Sequence, residues 1–425
     1  MGCDALYDAR LAIPGKDVVL FDLATWKNGL SFKKIDFSDS GIPVIKIAEL
    51  NNGIGSSTSF TRGVYSSDVK LQRGDFLFSW SGNPETSIDI FRFELKEGWL
   101  NQHIFKTTPN SSLVTRDYFF YLMKWLKPVF KSIASNKQTT GLGHITISDL
   151  KKIKVTVPAK DLQNKVAAIL TAIDNKISLN AKLNGYLEEL ANTAFADWLK
   201  KHANGKEIAS FVSDSDHLSL GELCSKVTDG SHSSPRNDPN GKYPMLSVRD
   251  MRRFGFDYAS CKMISQIDFD AMTANDCVPK VDDILVAKDG SYLKEVFITN
   301  EEKNEAVLSS IAIFRPDKRI IAPEILLYFL KHPRTRKLVA DNFVSGSALP
   351  RIVLKDFKKL TLLTPSRKEQ EEILPILQIV RNLTWANVKG NERLVKLRDT
   401  LLPKLMSGEI DVSKVDPTQL NSHLA

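Results

Sequence analysis

At 425 residues the chain is too long for one ordinary core and about right for two domains with extra helices. Its 42% hydrophobic and 25% charged residues exclude a disordered polymer, and a formal charge of +8 favours a polyanionic partner without specifying one. No run of about 18 apolar residues exists, and the start MGCDALYDAR lacks the basic-then-apolar layout of a secretion signal, so a cytoplasmic protein with no membrane association is expected.

In chain order, the first half carries short apolar or alternating runs, PVIKIAEL (43–50) and GDFLFSW (74–80), which read as strands punctuated by Gly, Pro, Asn and Asp. RDYFFYLMKWLKPVF (116–130) reads as one amphipathic helix, and KKIKVTVP (151–158) as a closing strand. From Asp161 the pattern changes to a long helical period: Val166, Ile169, Leu170, Ile173, Ile177, Leu183, Leu187, Leu190 and Ala194 recur at steps of three and four. The second half repeats the order. DDILVA, EVFIT and IAIFRP read as strands, APEILLYFLKHPRTRKLV as one helix and KKLTLLTP as the closing strand, before a second long period of Ile373, Leu377, Val380, Leu383, Leu394, Leu397, Leu401 and Leu405. Pro375 should end or kink a first turn of that helix.

The halves are diverged copies. At a shift of 207 residues Ile145, Asp149, Lys151, Lys152, Pro158, Gln163, Ile169 and Leu170 fall on Ile352, Asp356, Lys358, Lys359, Pro365, Gln370, Ile376 and Leu377, and near the start IPVIKIAEL lies over YPMLSVRDM at a shift of 201. The expected fold is mixed α/β: a globular domain at 1–160, a long helix at 161–203, a second domain at 204–367, a second helix at 368–412 and a tail at 413–425. Two helices at equivalent places, each spanning roughly 60 Å at 1.5 Å per residue, are expected to pair antiparallel about a pseudo-twofold axis. Ile169, Ile173, Ile177, Leu183, Leu187, Leu190, Ile373, Leu377, Val380, Leu394, Leu397 and Leu401 are the expected pairing residues. Two readers so related meet equivalent phosphate surroundings on antiparallel DNA strands, while unlike side chains read unlike bases; an asymmetric, split duplex site is the expected target.

No catalytic motif stands out. There is no Asn/Asp-Pro-Pro-aromatic motif for a flipped adenine and no GxxxxGK loop for phosphates, and Gly82-Asn83-Pro84 and Asp238-Pro239-Asn240 read as turns. Pro84-Glu85 followed by Glu94-Leu95-Lys96 only loosely resembles a nuclease carboxylate pair with lysine, and Glu301-Glu302-Lys303 in the second copy lacks the upstream half. Cys3, Cys224, Cys261 and Cys277 have no CxxC spacing, and no metal site is expected.

Lys124, Lys127 and Lys131 recur on one helix and their counterparts include Lys331 and Arg334, with Arg336 and Lys337 close by; these are the candidate phosphate contacts. Candidate base contacts are polar or aromatic residues that differ between copies: Trp80, Ser81, Asn83, Asn101, Gln102 and His103 in the first domain, and Arg249, Arg252, Arg253, Lys288, Asp289, Ser291, Ser309 and Ser310 in the second.

The stretches TAFADWLKK (Thr193 to Lys201) and LRDTLLPKLMSGEIDV (Leu397 to Val412), together with the repeat, resemble the marker segments of type I restriction-modification specificity subunits over nearly the whole chain. That resemblance implies a bacterial or archaeal, non-catalytic DNA-binding subunit with two target-recognition domains. It also implies two modification (methyltransferase) subunits and restriction (translocase and nuclease) subunits as partners. S-adenosylmethionine, ATP and magnesium would belong to those partners and none to this chain. The competing reading is a two-domain scaffold or RNA-binding adaptor, although no RNP or GxxG motif supports it.

Overall fold

The computed structural model describes residues 7–416 except 12, 56, 139–140, 204, 213, 260, 291–292 and 346–350. The chain forms two compact units, Met1–Ser178 with Glu392–Ala425, and Leu179–Asn391.

In the first unit the principal elements are β1 (Ala24–Asn28), β2 (Ile42–Ile45), β3 (Phe76–Ser79), β4 (Asp89–Arg92), β5 (Glu97–Leu100), β6 (Ile104–Pro109), α1 (Arg116–Trp125), α2 (Lys127–Asn136), β7 (Lys154–Val157) and the first part of α3 (Lys160–His202). The second contains β8 (Cys224–Asp229), β9 (Tyr243–Leu246), β10 (Ile284–Ala287), β11 (Val296–Ile298), β12 (Ile311–Pro316), α4 (Pro323–Lys331), α5 (Pro333–Phe343), β13 (Thr361–Leu363) and the first part of α6 (Arg367–Met406).

The central ladders repeat. An antiparallel sheet of order β1-β6-β3-β4 in the first unit is matched by β8-β12-β10-β11 in the second. A parallel pair aligns Val44 of β2 with Trp99 of β5, and Met245 of β9 with Ala306. Those two pairs are related by the shifts of 201 and 207 read from the sequence, so the repeat is one of hydrogen-bond register as well as residue type. The core of each domain lies between its antiparallel sheet and its helices: Phe76, Phe78, Phe119 and Phe130 in the first, Val286, Phe314, Phe329 and Phe357 in the second.

Two identical glutamines explain why the repeat is sharpest where each long helix begins. Gln163 accepts from the Thr115 amide (2.7 Å) and donates to the Pro158 carbonyl (2.8 Å); Gln370 accepts from Ala322 (3.0 Å) and donates to Pro365 (3.0 Å). Both side chains are buried, so losing either would orphan backbone groups where strand, helix and preceding loop meet.

Three expectations need correction. Each single amphipathic helix is two: Pro128, which has no N–H to carry the first helix onward, stands in the first turn of α2, and before Pro333 the residue His332 is extended and separates α4 from α5, because proline disfavours helical geometry in the residue before it. The run PVIKIAEL is a strand only to Ile45 and continues as a short helix, Ile47–Asn52. Helix α6 runs through Pro375 without a break. Pro375 and Glu371, whose carbonyl it leaves without a partner, are both exposed, so water can take the missing bond.

Each unit contains segments of both long helices, and the contacts run antiparallel. In the first, Arg398 meets Asp174 (3.0 Å), and Leu405, Met406 and Val412 enter the core beside Val166 and Leu170. In the second, the Trp198 indole donates to the Glu369 carbonyl (2.9 Å), Lys201 pairs with Glu372 (2.7 Å), and Phe195 and Trp198 pack with Ile373 and Leu377.

The inner face of α3 follows Val166, Leu170, Ile173, Ile177, Asn180, Asn184, Leu187, Ala191, Ala194 and Trp198, all buried or half-buried, in strict steps of four and three. Adding 207 to each gives Ile373, Leu377, Val380, Thr384, Asn387, Asn391, Leu394, Arg398, Leu401 and Leu405, the inner face of α6. Of the expected pairing residues, Ile173, Ile373, Leu377 and Val380 are buried, and Ile169, Ile177, Leu187, Leu394 and Leu401 half-buried. Leu183, Leu190 and Leu397 are not on this face; they stand exposed one position off it. The neighbouring places on the face are taken by Asn184, Ala191 and Arg398, and the middle of the face is polar. Asn180 donates to Asn391 (2.8 Å), Asn387 to Asn184 (2.7 Å), and Asn184 to the Thr384 carbonyl (3.3 Å). The repeat exchanges the two asparagine pairs.

Candidate nucleic-acid interface

The two domains place a polar cluster at the same point of the frame, where the first strand of the antiparallel sheet ends against the loop before the long central strand. That approach is close enough to require glycine. A Cβ on Gly29 would lie 2.2 Å from the Asn101 carbonyl oxygen, and one on Gly230 would lie 2.1 Å from that of Val307. The next amides, of Leu30 and Ser231, donate to Leu100 (2.9 Å) and Val307 (2.8 Å). The residues before the glycines, Asn28 and Asp229, are thereby held beside the ends of β3 and β10.

In the first domain Asn28 accepts from the Trp80 indole (3.2 Å). Trp80 stacks on Phe105 at 5.6 Å and tilts against His103 at 5.7 Å, and the Gln102 amide meets His103 Nε2 at 3.2 Å. Half of the Trp80 ring is thus packing, while His103 is exposed. Asn101 is buried and its side chain accepts from the His103 amide (3.4 Å), Ser81 lies in a two-residue ladder with His144, and Asn83 caps a turn by accepting from the Glu85 amide (2.8 Å). Trp80, Gln102 and His103 therefore converge with Asn28, while Asn83 and Asn101 serve the backbone.

In the second domain Asp229 faces Lys288 (3.4 Å) and His232 (3.3 Å), and Lys288 also approaches Asp289 at 3.4 Å. Lys288 is only 7% exposed, so its charge is committed to these carboxylates. The Ser310 hydroxyl accepts from the Val248 amide (3.1 Å), and the Ser309 amide donates to the Ser231 carbonyl (2.9 Å). Arg249 is exposed, with no side-chain partner among the described residues, whereas Arg252 is paired with Asp257 (2.8 Å) and Arg253 with Glu188. Ser291 lies outside the described residues.

Four of the helix lysines, Lys124, Lys127, Lys131 and Lys331, have partners that sequence spacing could not reveal. Lys124 and Lys127 grip one Asp89 carboxylate at 2.9 and 2.6 Å, and Lys131 pairs with Glu85. Burial pushes the Asp89 carboxyl up, but the two ammoniums outweigh it and hold it below the ordinary range. Lys331, the counterpart of Lys124, is held instead by Glu188 of α3 at 2.6 Å. Arg334 and Lys337 are exposed, and Arg336 is half-buried. Asn28, Asp229 and Glu188 were not singled out in the sequence. The usable signal for the first two was that each precedes a glycine and that they coincide at the 201-residue shift.

Among the described residues no group of three or more His, Cys, Asp or Glu could hold a metal ion, and no helix is long and apolar enough to cross a membrane. Glu85 and Glu94, the acidic part of the loose nuclease pattern, pair with Lys131 and Arg73 respectively.

Two copies of one α/β frame, each presenting a differently composed polar cluster at the same place, define a two-headed recognition protein. Residues 16–189 and 213–396 match the type I restriction modification DNA specificity domain, and the chain belongs to that family. It is 24% identical over 410 residues to the type I restriction enzyme HindI specificity subunit of Haemophilus influenzae, covering 80% of this chain and 87% of that one. To the MjaIX specificity subunit of Methanocaldococcus jannaschii it is 23% identical over 329 residues, covering 74% and 73%. Its fold is similar to that of the type I restriction-modification S subunit from M. genitalium, with a TM-score of 0.50, 16% identity and coverage of 93% and 96%.

Proposed function

We infer that this chain is the non-catalytic specificity subunit of a type I restriction-modification complex, reading an asymmetric, bipartite duplex site in the cytoplasm of a bacterium or archaeon. The observation that carries this is the pairing of an unchanged frame with changed chemistry: Gly29 and Gly230 fix the same approach, while Asn28, Trp80, Gln102 and His103 on one side face Asp229, His232, Lys288 and Asp289 on the other. An amide and imidazole set offers donors and acceptors to a base edge; a carboxylate set accepts from exocyclic amino groups. Unlike half-sites follow.

The partners are two modification subunits, with restriction subunits completing the complex. S-adenosylmethionine belongs to the first, and ATP and magnesium to the second. An apolar stripe on the second unit supports a protein partner: Leu179, Leu183, Tyr186 and Leu190 of α3 and Ile376, Ile379 and Leu383 of α6 are each more than 40% exposed.

Mapping methylated adenines in the host genome with and without this gene tests the reading. Loss of methylation at one two-part motif is expected on deletion. An unchanged methylation map beside an expressed modification subunit would overturn it, and capture of RNA or of unrelated proteins alone would favour the adaptor.

A further inference from the structure

Beside the Glu188–Lys331 pair the second unit contains a cavity of about 380 Å³ lined by Glu188, Asn192, Arg253, Lys294, Glu295, Val296, Lys331 and Arg336. Four cations there face two carboxylates. Glu188 holds Lys331 at 2.6 Å and pairs with Arg253 as well, so one carboxylate already serves two cations. Glu295 is left for the other two, yet neither Lys294 nor Arg336 comes within ion-pair distance of a carboxylate among the described residues, and Arg336 Nε is shut off from solvent with no hydrogen-bond acceptor. A buried guanidinium N–H without an acceptor is costly, and a cluster of cations short of anions holds its members below their ordinary pKa. Both Lys331 and Arg336 are lowered, primarily by burial, and burial pushes the Glu295 carboxyl up.

From this we propose that the cavity is an oxyanion site for a phosphate group, with Arg336 and Lys294 as its open ligands and Lys331 and Arg253 as its charged floor. A phosphate oxyanion supplies what the cluster lacks, namely negative charge and several acceptors for guanidinium and ammonium donors. The site belongs to the second copy only. At the 207-residue shift Lys294 and Arg336 fall on Ser87 and Val129, and in the first copy Asp89 satisfies Lys124 and Lys127 by itself. The phosphate has two sources, a backbone diester of bound duplex or a free phosphomonoester; the first of these rests on the DNA-reading function proposed above.

The test compares the full chain with its Lys294→Gln/Arg336→Gln variant, which leaves the buried Lys331–Glu188 pair in place. Inorganic phosphate and a nucleoside monophosphate are each titrated against thermal unfolding, with sodium chloride at matched ionic strength as the control. A non-specific duplex is titrated across salt concentrations. If a free phosphomonoester is the occupant, both phosphates raise Tm beyond chloride, the variant loses at least about tenfold in affinity, and the duplex salt slope is unchanged. If the duplex backbone is the occupant, the variant weakens binding to all duplexes alike and the salt slope falls by about one. A chain that binds phosphate but no duplex would refute the DNA-reading function and leave the site standing. No Tm rise beyond chloride in the wild type, together with an unchanged salt slope in the variant, would overturn the site.

Discussion

Trp80 with Asn28, and Lys288 with Asp229, occupy corresponding places in the two domains and share almost nothing chemically. The first cluster is aromatic and neutral, built on an indole that stacks over Phe105 and donates to an amide. The second is ionic, with a buried ammonium between two carboxylates and a histidine at its edge. What stays constant is backbone: the glycine approach, the strand order and the glutamine that begins each long helix. The comparison teaches that the frame sets where recognition happens and the side chains set what is recognised.

The sharpest way to break the frame is at the glycines. Gly230→Val would drive a side chain into the Val307 carbonyl, with backbone on both sides, and is expected to cost about 3 kcal/mol. Hydrogen exchange should show β8 and β12 losing protection while β1 and β6 keep theirs; Gly29→Val should give the reverse. Equal loss in both domains from either change would mean that the copies do not hold their frames independently.

Chemistry can be changed with the frame left alone. Lys288→Ala removes the cation from between Asp229 and Asp289 and leaves Asp229 with His232 alone, while Gln102→Ala with His103→Ala strips the first cluster. Each specific base contact is worth about 1–3 kcal/mol of discrimination, so each variant should relax one half of the target about tenfold or more and spare the other half. Methylation mapping with a co-expressed modification subunit reads this directly. A variant that relaxed both halves, or neither, would remove its cluster from the reading surface.

The paired helices permit a subtler contrast. Asn184 and Asn387 are both on the inner face, and Asn184 is 2% exposed. Asn184→Ala leaves the Asn387 amide and the Thr384 carbonyl without their partner and is expected to destabilise by about 1–2 kcal/mol. Replacing Asn184 and Asn387 together by Leu should restore or exceed wild-type stability in denaturant unfolding, because polar residues in such a seam trade stability for register. A double variant weaker than the single one would show that the layer is a net stabiliser.

That layer also marks how far the sequence could be read. The repeat, the mixed α/β class and the two long helices were all legible, because Pro158, Gln163 and Leu170 survive unchanged as Pro365, Gln370 and Leu377. The inner face of the helices was legible only at its ends. Midway it passes through Asn180, Asn184, Asn387 and Asn391, and a search for leucine settles on Leu183, Leu190 and Leu397, each one residue off Asn184, Ala191 and Arg398 and left exposed by the fold. The polar clusters were half legible: Trp80, Gln102 and His103 come together in one and Lys288 and Asp289 in the other, but Asn28 and Asp229, which anchor them, carry no motif of their own. The basic helices misled for another reason. Asp89 and Glu188 lie 35 and 143 residues from the lysines they neutralise, and periodicity along a helix carries no information about such partners.

The smallest effect expected separates the closing sheets. His217 pairs with Leu363 in the second domain as Asp17 pairs with Thr156 in the first, so at this place of the closing sheet only the second carries an imidazole. Burial lowers the His217 pKa, but the Glu207 carbonyl (2.7 Å) and the Asp214 carboxylate (2.9 Å) accept from its two ring nitrogens and together raise it above the ordinary value. A group whose pKa is raised on folding contributes stability that is fully present below its unfolded pKa, about 6.5, and is lost as pH rises through the higher folded value. The second domain should therefore weaken slightly from just above pH 6.5 upward, while the first, with Asp17 at that place, should not. Hydrogen exchange of β13 against β7, followed over that range in wild type and in His217→Gln, reads the difference. The slope for β13 should vanish in the variant, and a slope that survived would assign the titration to another group.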